Sequence, residues 1–216
     1  MLNIHPVTLV IIGLNILVSL KGFNDFSFFE RYKFNVAGIR RGEQIRMLSS
    51  GFLHVDFTHL LFNMLTLYFF ADVVIAELGV IKFVLIYLAS LLAGNLLSFY
   101  FHKEEYHYSA VGASGAVTGV LYSAILFYPD MGLFLFFIPI PIPAWVFGLL
   151  YLLYSIYGMR KQLGNIGHDA HFGGAIAGYG ITLAFAPLLL ETSLWIVTLL
   201  AVPILVLFVM FKLGKL

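Results

Sequence analysis

The chain has no cysteine, so nucleophilic or ligand chemistry falls to serine, histidine and carboxylates. Those residues gather at three points: a segment from His54 through Asp56 and His59 to Asn63, then Gly112-Ala113-Ser114-Gly115, then His168-Asp169-Ala170-His171. A serine is a weak nucleophile until a base removes its proton. His171 is the candidate base for Ser114, with His168 one turn earlier in reserve. Ser114 precedes an apolar run and so opens a helix, where free backbone N–H groups, that of Gly115 included, and the helix dipole favour an oxyanion. His59 and Asn63 are four residues apart, share one helix face, and can both donate toward one point, as an oxyanion hole requires. Their bland alternative is an ordinary interhelical hydrogen bond, worth about 0.6 to 2 kcal/mol in a membrane. Asp169 falls two residues before His171, on roughly the opposite helix face, and Asp72 lies at the far end of its segment. A Ser–His dyad is therefore expected rather than a triad.

The elements that must position these residues are membrane helices. Of the 216 residues, 61% are apolar and 11% charged, and the mean hydropathy is +0.97, more apolar surface than a soluble domain of this length can hide. Seven runs approach the roughly 20 residues that span a bilayer core: Val7–Leu20, His54–Ala76, Val80–Phe101, Ser114–Phe127, Pro143–Met159, Ala170–Leu190 and Leu194–Phe211. The expectation is an all-α polytopic membrane protein, one domain over 1–216, with a six-helix core over about 7–190 and an extra helix at about 194–211 that Pro203 interrupts. No basic residue precedes Val7 and no A-x-A site follows Leu20, so this run reads as a retained first helix. The formal charge of +1 offers no field for nucleic acid. Pro129-Asp130 should end the fourth helix, and Ile138–Pro143, with its alternating prolines, should run extended into the fifth. The aromatic and basic stretch from Lys21 to Ser50 suits short interfacial segments, and the loop from Arg160 to Asp169, with Gly164 and Gly167, reads as a mobile lid.

All three polar clusters open even-numbered helices. In an up-and-down bundle such helices run in the same direction, so the clusters share one side of the membrane and can meet at one depth, where ionisable groups are functional suspects. Gly115-x-x-x-Gly119 and Gly174-x-x-x-Gly178 carry the small-residue spacing that lets helix backbones approach in lipid, so the fourth and sixth helices should touch.

G-x-S-G at the start of one helix, H-x-x-x-N on an earlier one and A-H-x-x-G-x-x-x-G on a later one together resemble the rhomboid intramembrane serine proteases. The likeness runs from Arg46 to about Gly178. It implies a rhomboid-like bundle and hydrolysis of peptide bonds in or near transmembrane segments of other proteins, with Ser114 as nucleophile, His171 as general base, and His59 and Asn63 as oxyanion side chains. His54, Gly112, Gly174 and Gly178 take supporting places, and neither cofactor nor metal is implied. The expected partners are transmembrane protein substrates and membrane lipid. Two positions depart from the family's pattern. Ile45-Arg46 stands where Trp-Arg is usual, and Thr118 stands four residues after the serine, where many members place an aromatic ring that stacks on the histidine.

The resemblance implies a bacterial-type inner membrane, a cytoplasmic N-terminus and an outward-facing site. The positive-inside rule gives the reverse, since every Lys and Arg except Lys82 falls on the site's side. Three rival functions are weighed: an inactive relative that binds transmembrane clients, a metalloprotein ligated by His54, His59, His168 and His171, and a transporter. The metalloprotein lacks the i, i+4 histidine pair of a zinc helix. The transporter lacks a repeated pair of broken helices.

Overall fold

A computed structural model describes residues 4–133, 140–161 and 167–215. The helices are α1 (Pro6–Asn24), α2 (Phe26–Tyr32), α3 (Val36–Arg40), α4 (Arg46–Ser49), α5 (Phe57–Leu78), α6 (Val80–His102), α7 (Ser114–Phe127), α8 (Ala144–Lys161), α9 (His168–Phe185), α10 (Leu189–Thr192) and α11 (Leu194–Lys212). Two antiparallel two-residue ribbons complete them, β1 (Phe34–Asn35) with β2 (Ser109–Ala110) and β3 (Gly132–Leu133) with β4 (Ile142–Pro143). Helices α1, α5, α6 and α11 are long and apolar enough to cross a membrane, and α7 is a shorter apolar helix. The fold is an all-α, multi-pass bundle, and each of the seven expected spans has its helix.

Helix boundaries differ from the sequence reading where caps intervene. The second span starts at Phe57 rather than His54 because the Asp56 carboxylate accepts the His59 N–H at 2.7 Å and caps α5. His54 is thereby left in the connection. The sixth begins at His168 rather than Ala170 and ends at Phe185 rather than Leu190: Pro187 forces Ala186 out of helical geometry, and the chain restarts as α10. Pro203 does not interrupt the last helix, since α11 is continuous through it, as membrane helices tolerate when neighbours absorb the defect. Helix α7 ends at Phe127, before Pro129. Residues 134–139 and 162–166 lie outside the described residues, and with them most of the proline-rich connection and the middle of the expected lid.

Helix α7 is the centre of the bundle. Every residue from Gly115 to Leu126 is buried, and α5, α6 and α9 pack around it. The α7–α9 contact is backbone on backbone, as the paired glycine spacings require. A Cβ at Gly174 would collide with the Gly115 carbonyl, and one at Gly178 with the Gly119 carbonyl. At about 1.5 Å per residue, the 14 residues of α7 rise about 21 Å, against the roughly 30 Å of a hydrocarbon core. The helix is therefore too short to cross that core from end to end.

The first loop folds as the short helices α2 to α4 around Arg46. This side chain is 10% exposed. Its guanidinium donates to the Glu30 carbonyl at 2.8 Å, the Lys33 carbonyl at 2.9 Å and the Glu43 carboxylate at 2.6 Å. Arg46 thus satisfies main-chain acceptors that α2 leaves open at its end.

Candidate active site

Ser114 is the first residue of α7, preceded by Ala113 with no side-chain cap. The first N–H groups of a helix have no intrahelical acceptor, so those of Ser114 and Gly115 face the space in front of the helix. The approach to Ser114 is built around Gly112, whose φ of 132° disfavours any residue with a Cβ. Space demands glycine as well, because a Cβ there would stand 2.7 Å from Cε1 and 2.9 Å from Nε2 of His59. The Gly112 N–H donates to the Ser50 carbonyl at 3.0 Å. The Asn95 amide in turn donates to the Met47 carbonyl at 2.7 Å and the Ser50 hydroxyl at 3.1 Å, anchoring that turn.

His54 secures the next peptide. The Ser19 hydroxyl donates to the Phe52 carbonyl at 3.0 Å and lies 2.8 Å from His54 Nδ1, while the Ala113 N–H donates to His54 Nε2 at 3.4 Å. These roles agree on one tautomer, with the proton on Nδ1 and Nε2 accepting. The His54 ring also meets that of His59 edge to face, centroids 4.9 Å apart. His54 is a brace for the loop that carries the serine.

A cavity of about 480 Å³ opens on this site, and Ser114, His171, His59, Asn63, Thr118 and Tyr151 all line it. Ser114 and His171 are brought together by the α7–α9 packing, since their neighbours Gly115 and Ala170 are in contact: a Cβ on Gly115 would lie 3.2 Å from the Ala170 carbonyl oxygen. His171 is 8% exposed. Asn63 lines the cavity but donates through Nδ2 to the His59 carbonyl at 3.0 Å, so in this state one amide proton is spent on its own helix.

Asp169 is turned away from the cavity. Its carboxylate lies 3.4 Å from His102 Nε2, and His102 stacks on Tyr108 with centroids 3.6 Å apart. His168, the reserve base, is packed between α8 and α9 against Gly158, with its ring 5.3 Å from that of Tyr154. Among the described residues there is no group of three or more His, Cys, Asp or Glu that could hold a metal ion.

The sequence reading missed Tyr151. Its hydroxyl is 2.8 Å from His171 Nδ1, and its ring lies over the imidazole at 5.5 Å and 27°. An aromatic from α8 thus covers the histidine in a chain that has Thr118 at the position four after the serine. Thr118 turns its hydroxyl to the Ser114 carbonyl, donating at 2.7 Å. The position of a tyrosine in an apolar run gives no sign of such a contact.

Comparison with known proteins agrees with this architecture. Residues 41–188 match the Rhomboid domain. The chain is 33% identical over 138 residues to the mitochondrial Rhomboid protein 1 of Saccharomyces cerevisiae, covering 62% of this chain and 40% of that protein. It is 39% identical over 90 residues to the putative rhomboid protease YdcA of Bacillus subtilis, covering 42% and 44% of the two chains. With the rhomboid protease GluP of the same bacterium the identity is 33% over 141 residues, 65% and 26% of the two chains. In each case the chain spans less than half of its relative's length. With the domain matched over more than half of its residues, this chain belongs to the rhomboid family.

Proposed function

We propose that the protein is an intramembrane serine endopeptidase that cleaves transmembrane proteins in or near their membrane segments. The observation that carries this reading is that Ser114, at the N-terminus of a buried helix, and His171, on the helix packed against it, line one cavity. A substrate helix enters from lipid and unwinds locally, because its amides are otherwise hydrogen-bonded and shielded. Ser114 Oγ attacks the exposed carbonyl carbon while His171 takes its proton. The charge on the carbonyl oxygen is met by the backbone N–H groups of Ser114 and Gly115, with His59 and Asn63 as side-chain donors once Asn63 turns from the His59 carbonyl. Collapse of the tetrahedral intermediate breaks the C–N bond, and His171 returns the proton to the leaving amine. Water from the cavity, deprotonated by His171, then hydrolyses the acyl-enzyme and restores the serine. Small or helix-weakening residues near the site's membrane face favour a substrate.

The site is taken to face away from the compartment that holds the N-terminus, as the family resemblance implies. Relatives are both mitochondrial and bacterial, so either kind of membrane fits. The test is cleavage of a labelled transmembrane substrate in liposomes by wild type, Ser114→Ala, His171→Ala and a chelator-treated sample. Wild type and the chelated sample should cleave, and neither variant should. Cleavage that survives Ser114→Ala, or that stops with chelator, overturns the proposal. A fluorophosphonate probe should label wild type and not Ser114→Ala; an inactive client-binding relative would take no label.

A further inference from the structure

The basic residues on the Ser114 side of the bundle fall into two groups. Lys21, Lys33, Arg40, Arg41 and Arg46 each lie 2.6 to 3.8 Å from a carboxylate. Lys103, Lys212 and Lys215 are exposed and have no acidic partner among the described residues. These three gather where two spanning helices end. Lys103 follows α6 as its C-cap, and its Nζ lies 5.5 Å from the centroid of the Tyr100 ring. Tyr100 and Phe101 each meet Phe211 with ring centroids 5.7 Å apart, and Lys212 follows Phe211 as the last residue of α11. The Lys215 N–H donates to the Met210 carbonyl at 2.9 Å, in a turn through Gly214 (φ 62°) that keeps Lys215 at the helix end. Tyr100 and Phe211 remain 50% and 43% exposed.

We infer that the joined ends of α6 and α11 form a binding surface for the headgroup of an anionic phospholipid. The depth of the surface follows from α11 itself. At its other end Trp195 is half-exposed and packs edge to face on Trp145, centroids 6.2 Å apart. From Trp195 to Phe211 the helix rises about 24 Å, close to the roughly 30 Å of a hydrocarbon core. Aromatic rings at both ends of a span mark the two interfaces, so Lys212 and Lys215, just past Phe211, stand at the level of lipid phosphates. The choice of headgroup follows from the carboxylates. Glu104 is paired with Arg40 at 3.8 Å and Glu105 with His102 at 3.0 Å, so the ammonium of a zwitterionic lipid meets three lysines and no free acid. A headgroup with a phosphate and no cation, such as that of phosphatidylglycerol, fits. The exposed rings suit acyl chains and have no part in holding free phosphate. Lysines at helix C-termini also offset the helix dipole, but that role is indifferent to the lipid around them. Helix α11 lies beyond the matched residues 41–188, so two of the three lysines come from the additional helix, and the lipid preference belongs to that extension rather than to the shared domain.

The test needs no proteolysis, so its failure and that of the protease reading are separate results. Native mass spectrometry of the full chain, in detergent with an equal mixture of phosphatidylglycerol and phosphatidylcholine of the same acyl chains, reads which lipid stays bound. Wild type should retain phosphatidylglycerol about tenfold or more over phosphatidylcholine. The triple variant Lys103→Gln, Lys212→Gln, Lys215→Gln should retain the two alike. A control matched in net charge, Lys21→Gln, Lys33→Gln, Arg41→Gln, should keep the wild-type preference. Phosphatidylglycerol should also raise the wild-type unfolding midpoint more than phosphatidylcholine does, and this difference should vanish in the first variant only. Equal retention of both lipids by wild type, or an unchanged preference in the first variant, overturns the inference. Loss of preference in the control as well would show that net charge and not this surface selects the lipid, and would overturn it too. Inorganic phosphate at the lipid concentration should leave the bound lipid in place; displacement by it would assign the lysines to a free anion and refute the headgroup site.

Discussion

Gly174→Ala and Gly180→Ala place the same methyl on the same helix and should act in opposite directions. At Gly180 a Cβ meets nothing within 4 Å, so only helix propensity changes, and alanine is favoured there by up to about 1 kcal/mol. At Gly174 the Cβ would stand 2.7 Å from the Gly115 carbonyl carbon and 3.0 Å from its Cα, and closer still to its oxygen, where ordinary contact begins at 3.4 Å. These are main-chain atoms inside a helix, so no side chain can swing away and α7 and α9 must part by about 0.7 Å or more. Overpacking of this kind costs about 1–3 kcal/mol. The functional cost is larger, because Gly115 follows Ser114 and Gly174 lies one turn after His171: the inserted methyl pries apart the two helices that carry the proposed nucleophile and base. A misplacement of about 1 Å can lower a rate about 100-fold. The assay is thermal unfolding in detergent beside cleavage in liposomes. Gly174→Ala should unfold earlier and lose most of its kcat, while Gly180→Ala should unfold no earlier and cleave normally. A folded Gly174→Ala with wild-type kcat would show that the approach of α7 to α9 does not set the catalytic geometry.

Removing the Arg46 side chain leaves the Glu30 and Lys33 carbonyls without their donor, and Arg46→Ala should destabilise by about 3 kcal/mol, with Arg46→Lys intermediate, measured by thermal unfolding in one detergent. The Glu43 carboxyl is held below its usual range chiefly by its hydrogen bond to Arg46. Its contribution is therefore complete above the unfolded value of 4.5 and lost as pH falls through the lower folded value. Glu43→Gln should flatten that acid limb and leave the neutral-pH difference small. Tyr122, fully buried, donates to the Gly148 carbonyl and ties α7 to α8. Tyr122→Phe should lower stability by about 1 kcal/mol, and an unchanged unfolding midpoint would show that the carbonyl finds another donor. Gly112→Ala adds strain at φ 132° and presses on His59. It should reduce kcat far more than it shifts unfolding.

The spans were legible because hydropathy over about 20 residues is a strong signal in a chain this apolar. The meeting of three polar clusters followed from counting helices. Helix ends were less legible, since they depend on single capping contacts such as Asp56 to His59 and on Pro187 acting one residue upstream. Ser114, His171, His59 and Asn63 could be named because polar residues are rare in an apolar background, and the structure sets all four on one cavity. The Asn63 amide proton bonded within its own helix could not be foreseen, because a side-chain rotamer is a tertiary outcome. Tyr151 was hidden for a different reason. Tyr151, Tyr154 and Tyr157 recur at one-turn spacing on α8, and nothing in their order tells which one faces α9.

The brace formed by Ser19, His54 and the Ala113 amide joins two regions that sequence comparison separates. The matched domain begins at residue 41, yet Ser19 belongs to α1, which precedes that match. What relatives share as a recognisable segment and what stiffens the loop before Ser114 are therefore not the same length of chain. The first helix, anonymous by composition, is mechanically part of the site: it fixes a tautomer on one histidine so that a single peptide plane, one residue ahead of Ser114, has something to lean on.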